Sequence, residues 1–324
     1  MTVAIAILNW NGKKWLEKFL PSVIEHSQNA EIYVIDNAST DDSIAYLKTH
    51  FPSVHLVKNN QNYGFAGGYN EGLKSIKADI YCLLNSDVEV TPNWINPILE
   101  IFHKYPKVAA VQPKIKSYHN RNFFEFAGAA GGQIDNLCYP YCRGRIFDEV
   151  EEDKGQYDDE TEIFWASGCA LFIRSKDFWT QKGFDARFFA HQEEIDLCWR
   201  LINSGRKIYY TYRSTVYHVG GGTLNKQNPR KTFLNFRNNL SMMAKNTTKE
   251  YLISTLFFRL CLDGIAGIRL LFTDGLLHTW AIVKAHFAFY AQLPATIKLR
   301  KAPQKKHFYQ TKWLIFKHFL GAKK

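Results

Sequence analysis

Hydrophobic residues come in short unbroken blocks, each closed by a polar cluster, and stretches of helical spacing separate the blocks. Val3-Ala4-Ile5-Ala6-Ile7-Leu8 predicts a buried first strand, and Asn9-Trp10-Asn11-Gly12 follows it. Trp15, Leu16, Phe19, Leu20 and Val23 then recur at the spacing of one helical face. Further blocks at 32–35, 54–57 and 80–84 predict strands two to four. Strand and helix alternating with short connections predict an α/β fold with a parallel, doubly wound sheet.

The clusters that close these strands hold the candidate chemistry, because ligands of open α/β sheets bind outside the carboxyl ends of the strands. Asn85-Ser86-Asp87 closes the fourth strand. A carboxylate beside two small polar residues suits an oxygen-seeking metal that also holds a phosphate. The alternative is an Asx-turn leading into a helix opened by Thr91-Pro92. Asp36 ends the second strand before any helix begins, and Ser39 or Thr40 is placed to cap the next helix, with Asp41 and Asp42 in its first turn. Residues 62–72 carry four glycines and Ala66 into a helix that Leu73 and Ile76 continue. Glycine costs helix stability. Two gains offset it here: free N–H groups facing a phosphate, or a tight helix–sheet contact. The segment is neither a dinucleotide fingerprint nor a P-loop, since no Gly-Lys-Ser/Thr follows.

The second half reads less regularly. Gly128, Gly131, Gly132 and Gly144, then an acidic run over 148–162, predict long loops across 113–163. Residues 164–174 recover a strand pattern. Ile195, Cys198, Leu201 and Ile202 make a helical stripe, which puts Glu193 and Glu194 in a first turn and pairs Asp196 with Arg200. Residues 207–210 and 215–219 finish the sheet, with His218 near the end and a loop from Gly220 to Thr223 after it. Arg230, Lys231, Arg237 and Asn238 lie on a helix with apolar Phe233, Phe236 and Leu240. We read them as a solvated face except for Arg237, which is placed to contact phosphate.

Charge changes the picture of the tail. From Lys245 onward there are 14 Lys/Arg against 3 Asp/Glu, while residues 1–244 hold 27 of each. The neutral main domain argues against nucleic-acid binding, and the basic tail calls for an anionic surface. The apolar run 251–297 is interrupted by Arg259, Asp263, Arg269, Asp274 and Lys284. Its best window, 275–297, contains Lys284, two histidines and Pro294, a poor membrane span. Amphipathic helices in a membrane interface are expected, against a helical cap or a homo-oligomer interface. Six scattered cysteines read as buried thiols, with Cys138 and Cys142 a weak metal or disulfide hint. Residues 2–8 already look like fold rather than signal peptide, so the expected compartment is cytoplasmic.

Four segments in series carry a resemblance. They are a first strand ending in Asn9-Trp10-Asn11, then Val34-Ile35-Asp36-Asn37-Ala38-Ser39-Thr40-Asp41, then Asn62-x-Gly64-Phe65-Ala66-x-Gly68-x-Asn70-x-Gly72, then Leu83-Leu84-Asn85-Ser86-Asp87. Together they resemble glycosyltransferase family 2, nearest its rhamnosyltransferase-like branch of bacterial cell-surface polysaccharide synthesis, over roughly residues 2–245. The resemblance implies a GT-A fold in 1–245, with a nucleotide-binding half (1–112), an acceptor-side half (113–245) and a basic helical tail (246–324). It also implies a nucleoside diphosphate sugar donor, a divalent metal (Mg²⁺ or Mn²⁺) and inversion at the anomeric carbon. Residues implied on the nucleotide sugar are Asn9, Asn11, Asp36, Asn62, Gly64, Phe65, Ala66, Gly68, Asn70, Asn85, Ser86, Gly168 (under the acceptor site) and Arg237. Asp87 and His218 are the implied metal ligands. Asn85 stands where the family often has the first acid of Asp-x-Asp, leaving Asp87 as the only charged ligand of that motif. Residues 193–197 match the family's Glu-Asp-x-Asp-Leu motif with Glu194 as second acid and expected general base. Glu193 is the competing base, and Asp196 is the motif's third acid.

The chemistry needs such a base. A sugar hydroxyl attacking an anomeric carbon loses its proton as the bond forms, and a positioned carboxylate takes it from the face opposite the leaving group. Asp87 and Glu194 are therefore expected across one pocket. The acceptor is read as a glycan or lipid-linked glycan at the inner membrane face. The rivals are a non-catalytic nucleotide-sugar-binding or membrane-bound scaffold and a sugar nucleotidyltransferase, for which 9–14 is a poor phosphate loop.

Overall fold

The computed structural model describes residues 1–220, 228–301, 303–319 and 321. The first half builds as the hydrophobic blocks predict. Strands β1 (Val3–Asn9), β2 (Glu31–Asp36), β3 (His55–Lys58) and β4 (Ile80–Asn85) alternate with helices α1 (Lys13–His26), α2 (Ser43–His50) and α3 (Gly64–Gly72). β1 pairs in parallel with both β2 and β4, which sets Asn9 opposite Asp36 and Leu8 opposite Asn85. Three polar residues thus line one sheet edge, where the order 3-2-1-4 reverses direction. Such a switch point is where an α/β sheet opens a crevice.

Both faces of this sheet are covered, as in parallel sheets generally. Ile5, Ile7, Cys82 and Leu84 pack with Leu16 and Leu20 of α1 on one face. Ala4, Ala6 and Leu83 pack with Ala66 and Tyr69 of α3 on the other. The alanines and the glycines of α3 belong together. A Cβ on Gly72 would come within 2.5 Å of Ile35 Cγ2, and one on Gly68 within 2.9 Å of Leu8 Cδ1. The glycines let this helix lie close on the sheet, the second of the two gains weighed from sequence.

The main sheet is completed by β5 (Val88–Val90), β6 (Val108–Ser117), β11 (Glu160–Ile163), β12 (Ala170–Arg174) and β13 (Lys207–His218), with α4 (Asn96–Lys104), α5 (Ser175–Thr180) and α6 (Glu193–Asn203) alongside. The main sheet runs β11-β13-β6-β12-β4-β1-β2-β3, with β5 on β13. β12 is antiparallel to both neighbours, so the second half is mixed rather than parallel. The chain enters β12 without a crossover helix, which a parallel strand would need.

Local corrections follow. Ser39 and Thr40 cap nothing; α2 begins at Ser43, whose N–H donates to the Asp41 carboxylate. Thr91-Pro92 opens no helix, because β5 precedes it and α4 starts only at Asn96. Residues 113–163 are largely loop, as the glycines and the acidic run predict, but short strands interrupt it. They complete β6 and build a small antiparallel sheet from β7 (Gly132–Ile134), β8 (Pro140–Cys142), β9 (Arg145–Ile146) and β10 (Glu149–Val150) before β11. All six cysteines are free thiols, Cys138 and Cys142 included.

Helices α7 (Pro229–Asn246), α8 (Lys249–Thr273), α9 (Leu276–Lys298) and α10 (Leu314–Phe319) complete the chain. α8 and α9 form a hairpin through Gly275, whose φ of 89° suits glycine. The candidate membrane span by length and composition is α8, not the 275–297 window chosen from sequence. α8 is long and apolar enough to cross a membrane, with a mean hydropathy of 1.5 over its best window.

Candidate active site

On the β1–β2 side, short polar side chains knit the strand ends into one network. Asp36 is almost fully buried; its Oδ1 accepts from Asn9 Nδ2 at 3.1 Å and its Oδ2 from Ser39 N–H at 3.0 Å. Asn11 Oδ1 accepts from Thr40 N–H at 2.7 Å. Asn9 Oδ1 is buried without a partner, and Gly12 leaves the space beside it, since a Cβ there would come within 2.5 Å. Ser86 Oγ borders the same space. An orphaned acceptor next to a buried carboxylate is what a ligand's donor groups would satisfy.

The 62–72 loop is joined to this network by a hub absent from the residues singled out by sequence. Asn37 donates to Asn62 Oδ1 (2.9 Å) and Gly64 O (3.0 Å) and accepts from Asn59 Nδ2 (3.0 Å). The expectation of free N–H groups at the start of α3 is overturned. Gly64 N–H donates to Asn62 Oδ1, and the N–H groups of Phe65 and Ala66 both donate to Phe189 O, at 2.7 and 3.1 Å. Gly68 packs on the sheet. Asn70 is turned to the chain at Phe184, exchanging hydrogen bonds with its N–H and C=O.

On the β4 side, β5 does the assembly. Its pairing with β13 sets Val88 opposite His218, and Val219 N–H donates to Asp87 O. His218 Nε2 consequently stands 3.2 Å from Asp87 Oδ1 and 3.3 Å from Asn85 Nδ2. Behind the ring, Glu125 Oε2 lies 3.2 Å from Nδ1. Burial raises the Asp87 carboxyl, but His218 beside it offsets this and leaves the net shift downward. Burial opposes a proton on His218, while Cys169, Glu125 and Asp87 favour it and hold the imidazole well above its ordinary value.

Surroundings that favour a proton on Nε2 also favour a divalent cation in its place. The donor set fits one: a carboxylate oxygen, an imidazole nitrogen and the neutral Asn85 amide, with substrate phosphates to complete the shell. No cluster of three or more His, Cys, Asp or Glu side chains able to share one ion occurs among the described residues. Glu125 faces the far nitrogen instead. Nothing in the sequence pattern marked Glu125, a lone acid in a glycine-rich stretch.

The acid pair stands on the third side. Glu193 and Glu194 open α6, and each has a buried Oε2 without a partner. Burial first, then Glu194, raises the Glu193 carboxyl well above its ordinary range; burial raises Glu194. Asp196 points elsewhere, bound to Arg200 Nε (2.8 Å), Lys245 Nζ (2.8 Å) and Asn246 Nδ2 (2.8 Å). The turn at Ser167–Cys169 lies between the two acidic groups. Cys169 O accepts from Asn85 N–H, while a Cβ on Gly168 would stand 3.0 Å from Phe65 Cζ and 4.0 Å from Glu194 Cβ.

The backbone before α6 is strained. Phe189, His191 and Gln192 all take positive φ, of 64°, 70° and 73°. Phe189 centres a γ-turn, with Ala190 N–H donating to Phe188 O at 2.7 Å. Such strain persists only where surroundings over-determine it. Here α7 does so. Asn238 Nδ2 donates to Phe188 O (3.0 Å), Ala190 O (2.9 Å) and His191 O (2.7 Å), and Arg237 donates to Arg187 O and Phe188 O. Arg237, expected on phosphate, is thus committed to carbonyls, and Asn238, expected on a solvated face, is fully buried. The 220–223 loop lies, beyond Gly220, outside the described residues.

The family model for glycosyl transferase family 2 matches residues 3–178. The chain belongs to glycosyl transferase family 2. It is 23% identical over 218 residues to an N-acetylglucosaminyl-diphospho-decaprenol L-rhamnosyltransferase of Mycobacterium tuberculosis, covering 63% of this chain and 71% of that one. It is 21% identical over 221 residues to the rhamnosyltransferase WbbL of Escherichia coli, covering 64% of this chain and 80% of the other. Its GT-A fold is shared with the crystal structure of GalNAc-T7 with UDP, GalNAc and Mn²⁺. That match has a TM-score of 0.60 at 17% identity, over 77% of this chain and 48% of that one. This family 2 chain is a rhamnosyltransferase-like glycosyltransferase.

Proposed function

We propose that this chain is an inverting glycosyltransferase that moves a sugar, with rhamnose the first candidate, from a nucleoside diphosphate to a glycan or lipid-linked acceptor. The product serves cell-surface polysaccharide synthesis, and the enzyme works peripherally at the inner face of the cell membrane. The observation that carries this reading is the placement of Asp87–His218 and Glu193–Glu194 on two sides of the Ser167–Cys169 turn. The rhamnosyltransferase names of two relatives support the sugar. The presence of Mn²⁺ together with UDP in the GalNAc-T7 structure supports a metal.

Asp36 and the orphaned Asn9 amide oxygen bind base or ribose, with the 62–66 loop closing that end of the pocket. Asp87 and His218, with Asn85, would hold a divalent cation, which when bound supplies positive charge against the developing diphosphate. Glu194 accepts the proton of the acceptor hydroxyl through its unpartnered Oε2. Burial makes this carboxylate more basic than an exposed one, which suits a general base working near neutrality. Gly168, with no side chain, leaves room for the acceptor between Phe65 and Glu194.

The deciding experiment is calorimetric titration of the purified chain with UDP, GDP and dTDP, each with Mn²⁺, Mg²⁺ or EDTA. One nucleotide binding in a metal-dependent way is expected, and Asp87→Ala removes the metal dependence. Binding that EDTA leaves unchanged takes the metal out of the proposal. No binding of any nucleotide overturns it in favour of a scaffold.

A further inference from the structure

Helix α8 is built inside out. Its buried residues are Thr255, Arg259, Asp263 and Gly267, one stripe at a spacing of four. The opposite stripe is apolar and open: Ile253 is 81% exposed, Phe257 63%, Ile265 63%, Ile268 62% and Phe272 83%. A helix of a water-bathed protein turns its apolar stripe inward. The apolar surface continues onto both neighbours. On α9, Leu276, Leu277, Trp280 and Phe287 are exposed, and on the α10 side Trp313, Phe316 and Phe319. Phe258 packs against Trp313, and Arg269 lies over the Phe319 ring, so α8 and α10 form one surface. Exposed Lys312 and Lys317 stand within it.

We propose that this α8–α10 face seats in the interface of a lipid bilayer carrying anionic headgroups, with α8 lying along the membrane plane. The proposal rests on the membrane-surface reading above and names the surface and its chemistry. The buried stripe fixes the orientation. Arg259, near the middle of α8, donates to Leu137 O (2.9 Å) and Asn239 Oδ1 (2.6 Å), both in the body of the enzyme. A helix held to that body at its midpoint lies on the membrane rather than across it, although it is long enough to cross. Exposed tryptophans beside lysines suit the headgroup level, where aromatic rings and basic side chains concentrate. Charge selects lipid over a second copy: two such faces would oppose Lys312 and Lys317 to themselves, whereas anionic headgroups complement them.

The test is flotation of the full chain with phosphatidylcholine vesicles, with and without phosphatidylglycerol, and with no donor or acceptor present. The unmodified protein is expected to float with the anionic vesicles, less so at high salt. Substituting Phe257→Gln, Ile265→Gln and Phe272→Gln together is expected to lower partitioning at least about tenfold. Lys312→Glu with Lys317→Glu is expected to weaken it only on anionic vesicles. As a check without substitution, lipids brominated on their acyl chains are expected to quench tryptophan fluorescence of the unmodified protein. Equal flotation of the triple variant and the unmodified chain overturns the proposal. So does failure of the unmodified chain to float with anionic vesicles, and a dimer that the triple variant makes monomeric would then assign the face to a second copy. Nucleotide calorimetry and flotation fail independently, so loss of the catalytic reading and loss of this one are told apart.

Discussion

At Glu194, burial and chemistry pull in the same direction. The pocket that raises its carboxyl to about 7 also leaves Oε2 free to take a proton. Replacement by Gln keeps the shape and removes the proposed base, so Glu194→Gln is expected to lower kcat by about 10²- to 10⁴-fold with donor KM little changed. The converse result, with Glu193→Gln abolishing transfer and Glu194→Gln sparing it, would assign the base to Glu193. With Glu194 as the proposed base the ionised form is the active one, so kcat should rise with pH through about 7. Stability runs the other way. A carboxyl whose folded pKa lies above its unfolded value binds more protons in the native state, so stability falls as pH rises from the ordinary carboxylate range toward about 7. Glu194→Gln should flatten that fall in thermal unfolding followed across the window. The strand-end residues Asp36, Asn85 and Asp87 were legible in the sequence because a short apolar block fixes where a strand stops. Asn37 and Glu125 were not, because each acts through partners far along the chain.

The element that decides the geometry of the acid pair is the turn over 188–192, held in its strained form by α7. Asn238→Ala would take the side-chain donor from Ala190 O and His191 O, while Phe188 O keeps Arg237 and the Ala190 N–H. Leaving buried backbone acceptors unmet costs about 1–3 kcal/mol each at most, so a loss of roughly 2 kcal/mol or more is expected. Thermal unfolding reads that loss. A positioning role further requires that kcat fall more than donor binding by calorimetry, and that the pH profile shift with it. The sequence hid this element for a definite reason. Helical periodicity identifies apolar faces, and Asn238 faces inward as a polar residue whose partners are main-chain oxygens. β5 escaped for another: three residues are too few to show alternation, yet they bring Asp87 to His218. The glycines of α3 were legible as glycines. Their use in close packing became clear only once Ile35 and Leu8 stood against them.

For the molecule as a whole, the helical layer is wired into the body through a buried polar cluster. Arg259 bonds Leu137 O and Asn239, lies 3.7 Å from the centre of the Tyr139 ring, and approaches Asp263, which meets His286 at 3.2 Å. Removing one member of a buried charged set is costly, about 3–5 kcal/mol, because its partner stays buried unpaired. Arg259→Met is therefore expected to raise hydrogen exchange along α8 while nucleotide binding is retained. Net charge foretold that the tail differs from the rest. Its inverted helix could not be foreseen, since a sequence does not say which stripe of an amphipathic helix meets protein. Phe189 ties the 62–66 loop to the turn before α6 more tightly than sequence implied. Its carbonyl receives the Phe65 and Ala66 N–H groups of α3 while its own γ-turn leads into α6. One oxygen atom is thus common to both segments. By thermodynamic reciprocity, a donor that stills the 62–66 loop and so tightens acceptor binding by some factor must itself be bound tighter by that same factor once the acceptor is in place.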